Sequence, residues 1–305
     1  MINYRKKLFI LTHSFYDVKF KKLYDYYINN QWNSYINLKI QQEEQLHKMV
    51  KFCYEKVQYY HKIFIDYGIN INNFGFSDLK KLPILKRKSI KSNWKEFIPK
   101  NYSDISKIKM VSGGTTGVPL NFYISKIHRL IAGILLYRAW SYGGFDLGDR
   151  MILVRGRSLE GWGRDFIFKV LNEKLRNINY IDAFNLQKDI EIIKTFRPKF
   201  LRGYTSSLYE ISKFIINNKI KIESVSSVFT TSEILTDLYR ETISEAFSCE
   251  VYDGYGIYDG GVSAYQCSQN KGLHIDTENA IMQIYDENNT EILNGVGRII
   301  ATSLY

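Results

Sequence analysis

The chain has 305 residues, 45% apolar and 15% aromatic, so it is long enough to bury a sizeable core and too apolar to be disordered. Its three cysteines (Cys53, Cys249 and Cys267) are too few and too scattered for a disulfide framework, which favours a reduced, cytoplasmic compartment. The apolar run 8–11 is too short for a signal peptide, and no stretch reaches the roughly 18 apolar residues of a spanning helix. We therefore expect a soluble protein with no integral membrane span.

The net charge of +11 comes from the first part of the chain. Residues 1–110 contain 21 Lys and Arg against 9 Asp and Glu, whereas residues 111–305 contain 21 against 22. A basic segment can bind nucleic acid, an anionic membrane surface or an anionic substrate. The lysines alternate with apolar core positions, which favours a solvated helical surface. No nucleic-acid motif occurs, so we expect no nucleic-acid partner.

The first 110 residues are predicted to be helical. Apolar residues at helical spacing predict one helix over 41–66, with a stop at Gly68. Residues 77–83 are typical of a short capped helical turn that proline ends. Ser89 is predicted to cap another short helix that runs to residue 97.

A loop rich in glycine and hydroxyl residues follows this helical segment. Its residues are Ser112, Gly113, Gly114, Thr115, Thr116 and Gly117, and Pro119 comes two positions later. Free backbone N–H groups in such a loop favour anions, and hydroxyls add donors for phosphate oxygens. The flanking residues predict two short strands joined by the loop. No Walker A or dinucleotide pattern is present, and an ordinary flexible loop is the alternative.

After this loop, predicted strands alternate with helices, which indicates parallel β-α-β units and an α/β fold. The predicted helices span 126–142, 165–176, 186–196, 206–217 and 237–247, the last capped by Thr236. The predicted strands span 151–155, 178–181, 199–202, 226–230 and 250–253. From residue 272 the pattern changes to a hairpin of strands 280–285 and 298–302 around Asn294-Gly295.

In open parallel sheets, ligands bind beyond the carboxyl ends of the strands. Three further polar stretches fall at such ends, namely 201–207, 230–233 and 252–261. The first offers helix-terminal N–H groups, and the last combines tyrosines, glycines and carboxylates that suit a purine and Mg²⁺. Ordinary helix capping, a polar loop and a tight turn with packed tyrosines are the respective alternatives.

Several motifs together resemble a known family. Ser112–Pro119 resembles the phosphate loop of adenylate-forming enzymes, and Tyr255–Asp259 resembles their Tyr-Gly-x-x-Glu motif with Asp in place of Glu. Four other stretches, 78–85, 202–209, 230–233 and 251–256, resemble the phenylacetate–CoA ligase-like branch, especially its capsular-polysaccharide-biosynthesis members. The resemblance runs in order from about residue 41 to residue 305.

The resemblance implies the large N-terminal domain of such a ligase, a mostly parallel sheet flanked by helices. We expect a basic helical N-terminal segment over 1–110, an α/β nucleotide-binding core over 111–271 and the start of a β-rich subdomain over 272–305. The implied activity is ATP-dependent activation of a small-molecule carboxylate as an acyl-adenylate, with Mg²⁺, and transfer to CoA or another acceptor. The implied setting is capsular or other surface polysaccharide assembly.

The resemblance also implies roles for individual residues. ATP phosphates would lie on Ser112, Gly113, Gly114, Thr115, Thr116 and Gly117. Adenine would bind near Ser232, Glu233, Tyr252, Asp253, Gly254, Tyr255 and Gly256. Thr116 and Asp259 are the expected catalytic residues, and Asp259 would bind Mg²⁺ although it is one methylene shorter than Glu.

The sequence departs from the family pattern at its end. Residues 297–305 resemble the strand before the family's ribose-binding aspartate, and neither this aspartate nor the C-terminal catalytic lysine follows. We therefore expect a fragment, a separate C-terminal polypeptide as partner, or a catalytically inactive nucleotide-binding protein. Cys267 and His274 resemble a zinc-binding segment of some relatives, with coincidence as the alternative because structural zinc takes four ligands.

Overall fold

The computed structural model describes residues 4–112, 119–155, 172–177, 183–257 and 260–305. The chain divides into two compact units. Unit 1 comprises residues 1–28, 134–256 and 264–274, and unit 2 comprises residues 29–133, 257–263 and 275–305. These units are defined by contacts in space, whereas the boundaries at 110 and 271 follow composition along the chain and stay a prediction.

The described residues form nine α-helices and thirteen strands. The helices are α1 (Tyr4–Tyr16), α2 (Phe20–Asn30), α3 (Tyr35–Lys56), α4 (Gln58–Asp66), α5 (Arg87–Ser92), α6 (Lys126–Ser141), α7 (Ala183–Phe196), α8 (Thr205–Asn217) and α9 (Asp237–Phe247). The strands are β1 (Lys107–Val111), β2 (Asn121–Ser125), β3 (Met151–Arg155), β4 (Glu173–Asn177), β5 (Phe200–Tyr204), β6 (Ser227–Thr231), β7 (Glu250–Tyr252), β8 (Gly254–Ile257), β9 (Val262–Tyr265), β10 (His274–Ile275), β11 (Ala280–Tyr285), β12 (Glu291–Ile292) and β13 (Arg298–Ser303). Within the described ranges, no helix combines the length and apolarity needed to cross a bilayer.

Unit 1 is built on a parallel sheet of order β4-β3-β5-β6-β7. Successive strand residues point to opposite faces, so each strand supplies two apolar surfaces. One face packs with α7, α8 and α9 through a buried cluster that includes Ile152, Leu201, Val228, Ile190, Leu208 and Ile243. On the other face, Phe200 meets the Phe145 ring at 5.5 Å and Phe229 meets the Trp140 ring at 6.1 Å.

The first two helices belong to this unit. Phe9 of α1 is fully buried, and its ring stacks on His13 with 4.3 Å between centroids. Burial lowers the pKa of His13, which keeps the imidazole neutral at neutral pH. The buried Arg138 of α6 donates from Nη1 to the Tyr27 carbonyl over 3.1 Å. Helix α2 is therefore tied to the unit by a buried charged hydrogen bond.

Unit 2 contains the strands that flank the glycine loop. β1 and β2 pair antiparallel from Lys107 opposite Ser125 to Val111 opposite Asn121, which confirms the two predicted strands. A second sheet has the order β12-β11-β13, and β11 and β13 pair antiparallel along six residues. This pairing confirms the two predicted strands, but the hairpin turn is misplaced: β11 turns first into β12, and Asn294-Gly295 lies between β12 and β13. A three-stranded sheet of order β10-β9-β8 completes the described strands.

One predicted helix is two helices. The prediction of a continuous helix over 41–66 is wrong, because α3 and α4 meet at Val57, whose backbone is extended with φ −114° and ψ 110°. The Val57 N–H still donates to the Cys53 carbonyl over 3.0 Å, and its carbonyl accepts from the His61 N–H over 2.9 Å. A single extended residue thus turns the chain while helical hydrogen bonds continue on both sides, which the apolar spacing cannot reveal.

Two other predicted elements also differ. Ser89 does not cap a helix, because α5 begins at Arg87 after the N-cap residue Lys86 and has no side-chain cap. The helix predicted over 165–176 is wrong at its end, because Glu173–Asn177 form β4, which pairs in parallel with β3; the rest of that helix and the strand predicted over 178–181 stay predictions. Asn172 just before β4 has φ 60°, a left-handed conformation that ends a helix, and its Nδ2 donates to the Gly148 carbonyl over 2.9 Å. Residues 156–171 and 178–182 lie outside the described residues.

Gln42 on α3 is expected to contribute strongly to the stability of unit 2. Its buried Nε2 donates to the carbonyls of Thr277 and Ala280 over 2.8 and 3.1 Å. We expect Gln42→Ala to lower the free energy of unfolding by about 2 kcal/mol, because buried carbonyls lose their donor. Gln45→Ala, on the same helix but half-buried, should cost less than about 0.5 kcal/mol. Equal losses in urea denaturation of the two variants would contradict this.

Candidate functional site

A small pocket opens at the carboxyl ends of β5, β6 and β7 in unit 1, where ligands of parallel sheets bind. Its walls come from α6, from these three strands and from β8 and β9. The lining residues are Leu136, Ala139, Trp140, Arg202, Phe229, Thr230, Thr231, Tyr252, Asp253, Gly254, Tyr265 and Gln266. The enclosed volume is about 10 Å³, room for one water molecule, so it is too small to enclose a larger ligand.

Asp253 is held rigidly at this pocket. Its Oδ1 accepts from the buried Thr230 hydroxyl over 2.8 Å and from the Gly254 N–H over 2.9 Å. The Asp253 N–H donates over 2.9 Å to Oε1 of Gln266, and the same oxygen accepts from Nη2 of Arg240 over 2.8 Å. The Arg240 guanidinium also donates to the Val251 carbonyl. Two donors to the carboxylate and one acceptor for the Asp253 N–H thus fix this residue in one orientation.

Aromatic rings form the inner wall. Phe229 lies between Trp140, at 6.1 Å between ring centroids, and Tyr252, at 5.7 Å. The Arg202 guanidinium lies 5.4 Å above the Trp140 ring, within cation–π range. Burial raises the pKa of Tyr252, with the Glu250 charge as a smaller cause, so its hydroxyl stays protonated. The wall consists of tilted aromatic rings, and the Arg202 cation lies over one of them.

Position 254 requires glycine because the Tyr265 ring and the Thr230 backbone lie very close to it. A Cβ at this position would lie 2.9 Å from the Tyr265 ring and 3.3 Å from the Thr230 carbonyl oxygen. The glycine therefore lets β8 start directly beside β6, and it keeps the Asp253 carboxylate within reach of the Gly254 N–H.

Glu233 occupies the N-terminus of α8. Its Oε2 accepts from the Ser206 N–H over 2.7 Å, and its carbonyl accepts from the Thr205 hydroxyl over 3.2 Å. A carboxylate at this end of a helix is favoured by the free N–H groups and the helix dipole. Ser232 just before it has φ 70°. At the stretch 201–207, the Ser206 N–H is thus bound by Glu233, and α8 has no side-chain cap from its N-cap residue Tyr204.

Two hydrogen bonds between Ser112 and Leu120 join the two ends of the glycine loop. The Ser112 N–H donates to the Leu120 carbonyl, and the Leu120 N–H donates to Ser112 Oγ, both over 2.9 Å. Gly113, Gly114, Thr115, Thr116 and Gly117 lie outside the described residues, as does Asp259. Their predicted roles stay predictions, as do those of Ser232, Glu233, Tyr252, Asp253, Gly254, Tyr255 and Gly256, which the structure describes.

Cys267 and His274 are neighbours, and the described part of the chain places no third metal ligand with them. The His274 Nε2 lies 3.2 Å from the Cys267 Sγ, within hydrogen-bond distance for sulfur. Among the described residues, no cluster of three or more His, Cys, Asp or Glu side chains could hold a metal ion. Structural zinc takes four ligands, and this pair supplies two. The zinc expectation is thus not supported, and the pair is a hydrogen-bonded contact.

The three thiols are expected to differ in reactivity. Burial raises the pKa of both Cys53 and Cys249 to about 12, with the Glu250 charge adding to the effect at Cys249. Only about one such thiol in ten thousand is ionised near pH 8, and the thiolate is the nucleophile. Iodoacetamide should therefore label the half-buried Cys267 first. Peptide mass spectrometry over time checks this, and a fast phase that survives Cys267→Ser but disappears in Cys249→Ser would contradict it.

Three site residues were missed by the sequence-based prediction. Gln266 and Arg240, which orient Asp253, stand alone, one just after β9 and the other in α9, without a recognisable motif. Trp140 lies at the end of an apolar helix, where its pattern predicts core. Their roles depend on tertiary contacts that bring α6, α9 and the end of β9 to the edge of the parallel sheet, and no local sequence signal encodes these contacts.

The chain has sequence relatives among characterised proteins, and no protein-family model matches it. Protein CapK from Staphylococcus aureus is 25% identical over 274 residues, which cover 85% of this chain and 57% of CapK. Phenylacetate-coenzyme A ligase from Thermus thermophilus is 22% identical over 293 residues, which cover 88% of this chain and 62% of that ligase. The chain thus spans about three fifths of the length of these relatives.

Solved structures show the same fold. A crystal structure of 2-hydroxyisobutyryl-CoA ligase with 2-HIB-AMP and CoA in the thioesterification state matches with a TM-score of 0.71 and 17% identity, covering 89% of this chain and 61% of that one. The open conformation of that ligase matches with a TM-score of 0.68. The predicted class is confirmed: an α/β fold with a parallel sheet flanked by helices and a strand-rich C-terminal region. The sequence relatives and the solved structures together support a place in the adenylate-forming ligase superfamily, phenylacetate–CoA ligase-like branch.

Proposed function

We propose that this protein uses ATP to activate a small-molecule carboxylate as an acyl-adenylate. The observation that carries the proposal is the Asp253 site: an oriented carboxylate beside an aromatic wall at the carboxyl edge of a parallel sheet. This is the stretch where the family resemblance places adenine. The relative named phenylacetate-coenzyme A ligase aligns over 88% of this chain.

The adenine ring is proposed to lie across the mouth of the pocket, because the enclosed space is too small for it. Polar groups at the rim suit a purine: the Asp253 carboxylate accepts from an exocyclic amine, and backbone groups of Gly254 and Tyr255 serve the ring edge. The Tyr255 ring offers a stacking surface. Thr230, Gln266 and Arg240 already orient Asp253. The entropy cost of ordering this side chain when the nucleotide binds is therefore small.

The proposed reaction is an in-line displacement. A substrate carboxylate oxygen attacks the α-phosphorus of ATP, the bond from that phosphorus to the bridging oxygen breaks, and pyrophosphate leaves with the electron pair. Backbone N–H groups of the glycine loop and the Thr116 hydroxyl would stabilise the negative charge on the phosphates. Mg²⁺, with Asp259 as its proposed ligand, would supply further charge neutralisation. These three loop and metal roles rest on the sequence resemblance.

CoA is the proposed acceptor of the acyl group. The names of the ligase relative and of the solved structures with CoA support this choice. The proposed setting, capsular or other surface polysaccharide assembly, rests on the sequence resemblance of the stretches 78–85, 202–209, 230–233 and 251–256.

The test is ATP–pyrophosphate exchange by the 305-residue chain with a panel of aromatic, hydroxylated and aliphatic carboxylic acids, alongside calorimetry of ATP binding. We expect exchange that depends on one class of acid and falls at least tenfold in Thr116→Ala, since a charge-assisted hydrogen bond contributes about 1.5–3 kcal/mol. Thr242→Ala, on an exposed part of α9, is the matched control. ATP binding without exchange would favour the inactive nucleotide-binding alternative, and absence of both would overturn the proposal.

A further inference from the structure

Helix α1 carries large apolar side chains on its outer side. We define the α1 stripe as the four residues Tyr4, Leu8, Leu11 and Phe15. Their spacings of four, three and four residues place them within an arc of about 60° around the helix axis. The four residues are 78%, 39%, 68% and 87% exposed, in that order. The stripe extends along almost the whole 13-residue helix, about 20 Å.

The opposite side of α1 anchors it, so the stripe cannot turn inward. Phe9 is buried against His13 and meets the Tyr137 ring edge-on at 5.3 Å. The Lys6 ammonium lies 2.8 Å from the Asp146 carboxylate. The contacts with Tyr137 and Asp146 join α1 to the part of unit 1 that follows residue 134.

The surroundings of the α1 stripe are basic. Exposed Arg5 and Lys7 lie on either side of it around the helix, and exposed Lys19 and Lys22 lie just beyond its end. Among the residues that the structure describes, none of these four cations has an acidic partner. Residues 4–28 contain six Lys and Arg against two Asp, a net charge of +4.

We propose that the α1 stripe and these four cations form a docking surface for an anionic phospholipid membrane. An exposed row of aromatic and leucine side chains flanked by lysines is the composition that lies in the plane of a bilayer interface. The four uncompensated cations complement anionic headgroups, and each cation is expected to raise the affinity for the membrane about fivefold. The protein would bind on the surface, with the apolar side chains reaching the boundary of the acyl region.

Charge argues against a second copy of this chain as the occupant. Cations lie at both ends of the stripe, Arg5 and Lys7 at one and Lys19 and Lys22 at the other. Two copies packed stripe to stripe would bring cations against cations whether the helices ran parallel or antiparallel. Such like-charge juxtaposition is unfavourable at an interface.

Cosedimentation of the 305-residue chain with vesicles tests the proposal. We expect binding to phosphatidylcholine vesicles that contain phosphatidylglycerol, and little binding to phosphatidylcholine alone. A double variant Leu11→Glu/Phe15→Glu should lower the partition coefficient at least tenfold, because two apolar contacts become repulsive. Arg5→Gln/Lys7→Gln should lower it about 25-fold at low salt and reduce its salt dependence.

Leu293→Glu is the matched control, because Leu293 is 91% exposed and belongs to unit 2. Circular dichroism verifies that each variant is folded. Failure of the unchanged protein to bind anionic vesicles, or equal loss in Leu293→Glu, would overturn the proposal. Light scattering gives the mass in parallel: a dimer that the stripe variant alone converts to monomer, with no vesicle binding, would assign the stripe to a second copy instead.

Discussion

Replacement of Gly203 by valine is expected to destabilise unit 1 by about 3 kcal/mol. Gly203 lies in β5 opposite Val154 of β3, and a Cβ there would lie 2.7 Å from the Val154 Cβ and 2.9 Å from its carbonyl oxygen. Both distances are shorter than van der Waals contact. Because one of the atoms belongs to the backbone, the steric clash can be removed only if β3 and β5 move apart. The measurement is urea denaturation followed by circular dichroism.

Gly133→Ala is the matched control for this prediction. Gly133 lies inside α6, and a Cβ there would have no heavy atom within 4 Å. Alanine in a helix interior is more favourable than glycine by about 0.5–1 kcal/mol, so this variant should be slightly more stable than the unchanged protein. A Gly203→Val protein as stable as Gly133→Ala would mean that the two strands do not pair as described.

Replacement of Thr230 by valine is expected to weaken ATP binding at least tenfold. Valine keeps the shape of the side chain but removes the hydroxyl that donates to Asp253 Oδ1 over 2.8 Å. A hydrogen bond to a charged group contributes about 1.5–3 kcal/mol, and its loss frees the carboxylate to rotate away from the proposed adenine position. Calorimetry with ATP measures the effect, and the prediction rests on the proposed function.

Thr242→Val separates this loss from general destabilisation, because it removes a hydroxyl that makes an exposed, local hydrogen bond within α9, to the Leu238 carbonyl over 2.8 Å. It should leave ATP affinity unchanged. If Thr230→Val keeps the ATP affinity while its melting temperature falls, the Thr230–Asp253 hydrogen bond serves the fold and not the nucleotide.

Most of unit 1 was predictable because apolar strands alternate with amphipathic helices along its sequence. Parallel strands buried on both faces are continuous apolar runs such as 151–155, and amphipathic helices between them keep helical spacing. Thr236 was also predictable as a cap, since its hydroxyl accepts from the Tyr239 N–H over 3.3 Å. These features are local, so a window of the sequence contains all the information they need.

Features that depend on tertiary contacts were not predictable. The β4 strand is one example: Glu173–Asn177 looks helical on its own, and pairing with β3 decides its conformation. The break at Val57 is another, because apolar spacing continues through it. In the candidate site, Asp253 and Gly254 were predicted from the sequence as binding residues. Gln266, which accepts a hydrogen bond from the Asp253 N–H, comes later in the chain and was not predicted.

In unit 1, the first two helices contact a helix that comes more than 100 residues later, and this affects how the protein folds during synthesis. His13 and Tyr27 find their partners Tyr137 and Arg138 at sequence separations of 124 and 111 residues. A ribosome therefore releases the first two helices long before the helix that receives them, at roughly 5–20 residues per second. During those seconds Phe9 and Phe20 have no core to enter, so the nascent chain is expected to depend on chaperone binding near its start, and a slowed elongation rate should lower the yield of native protein.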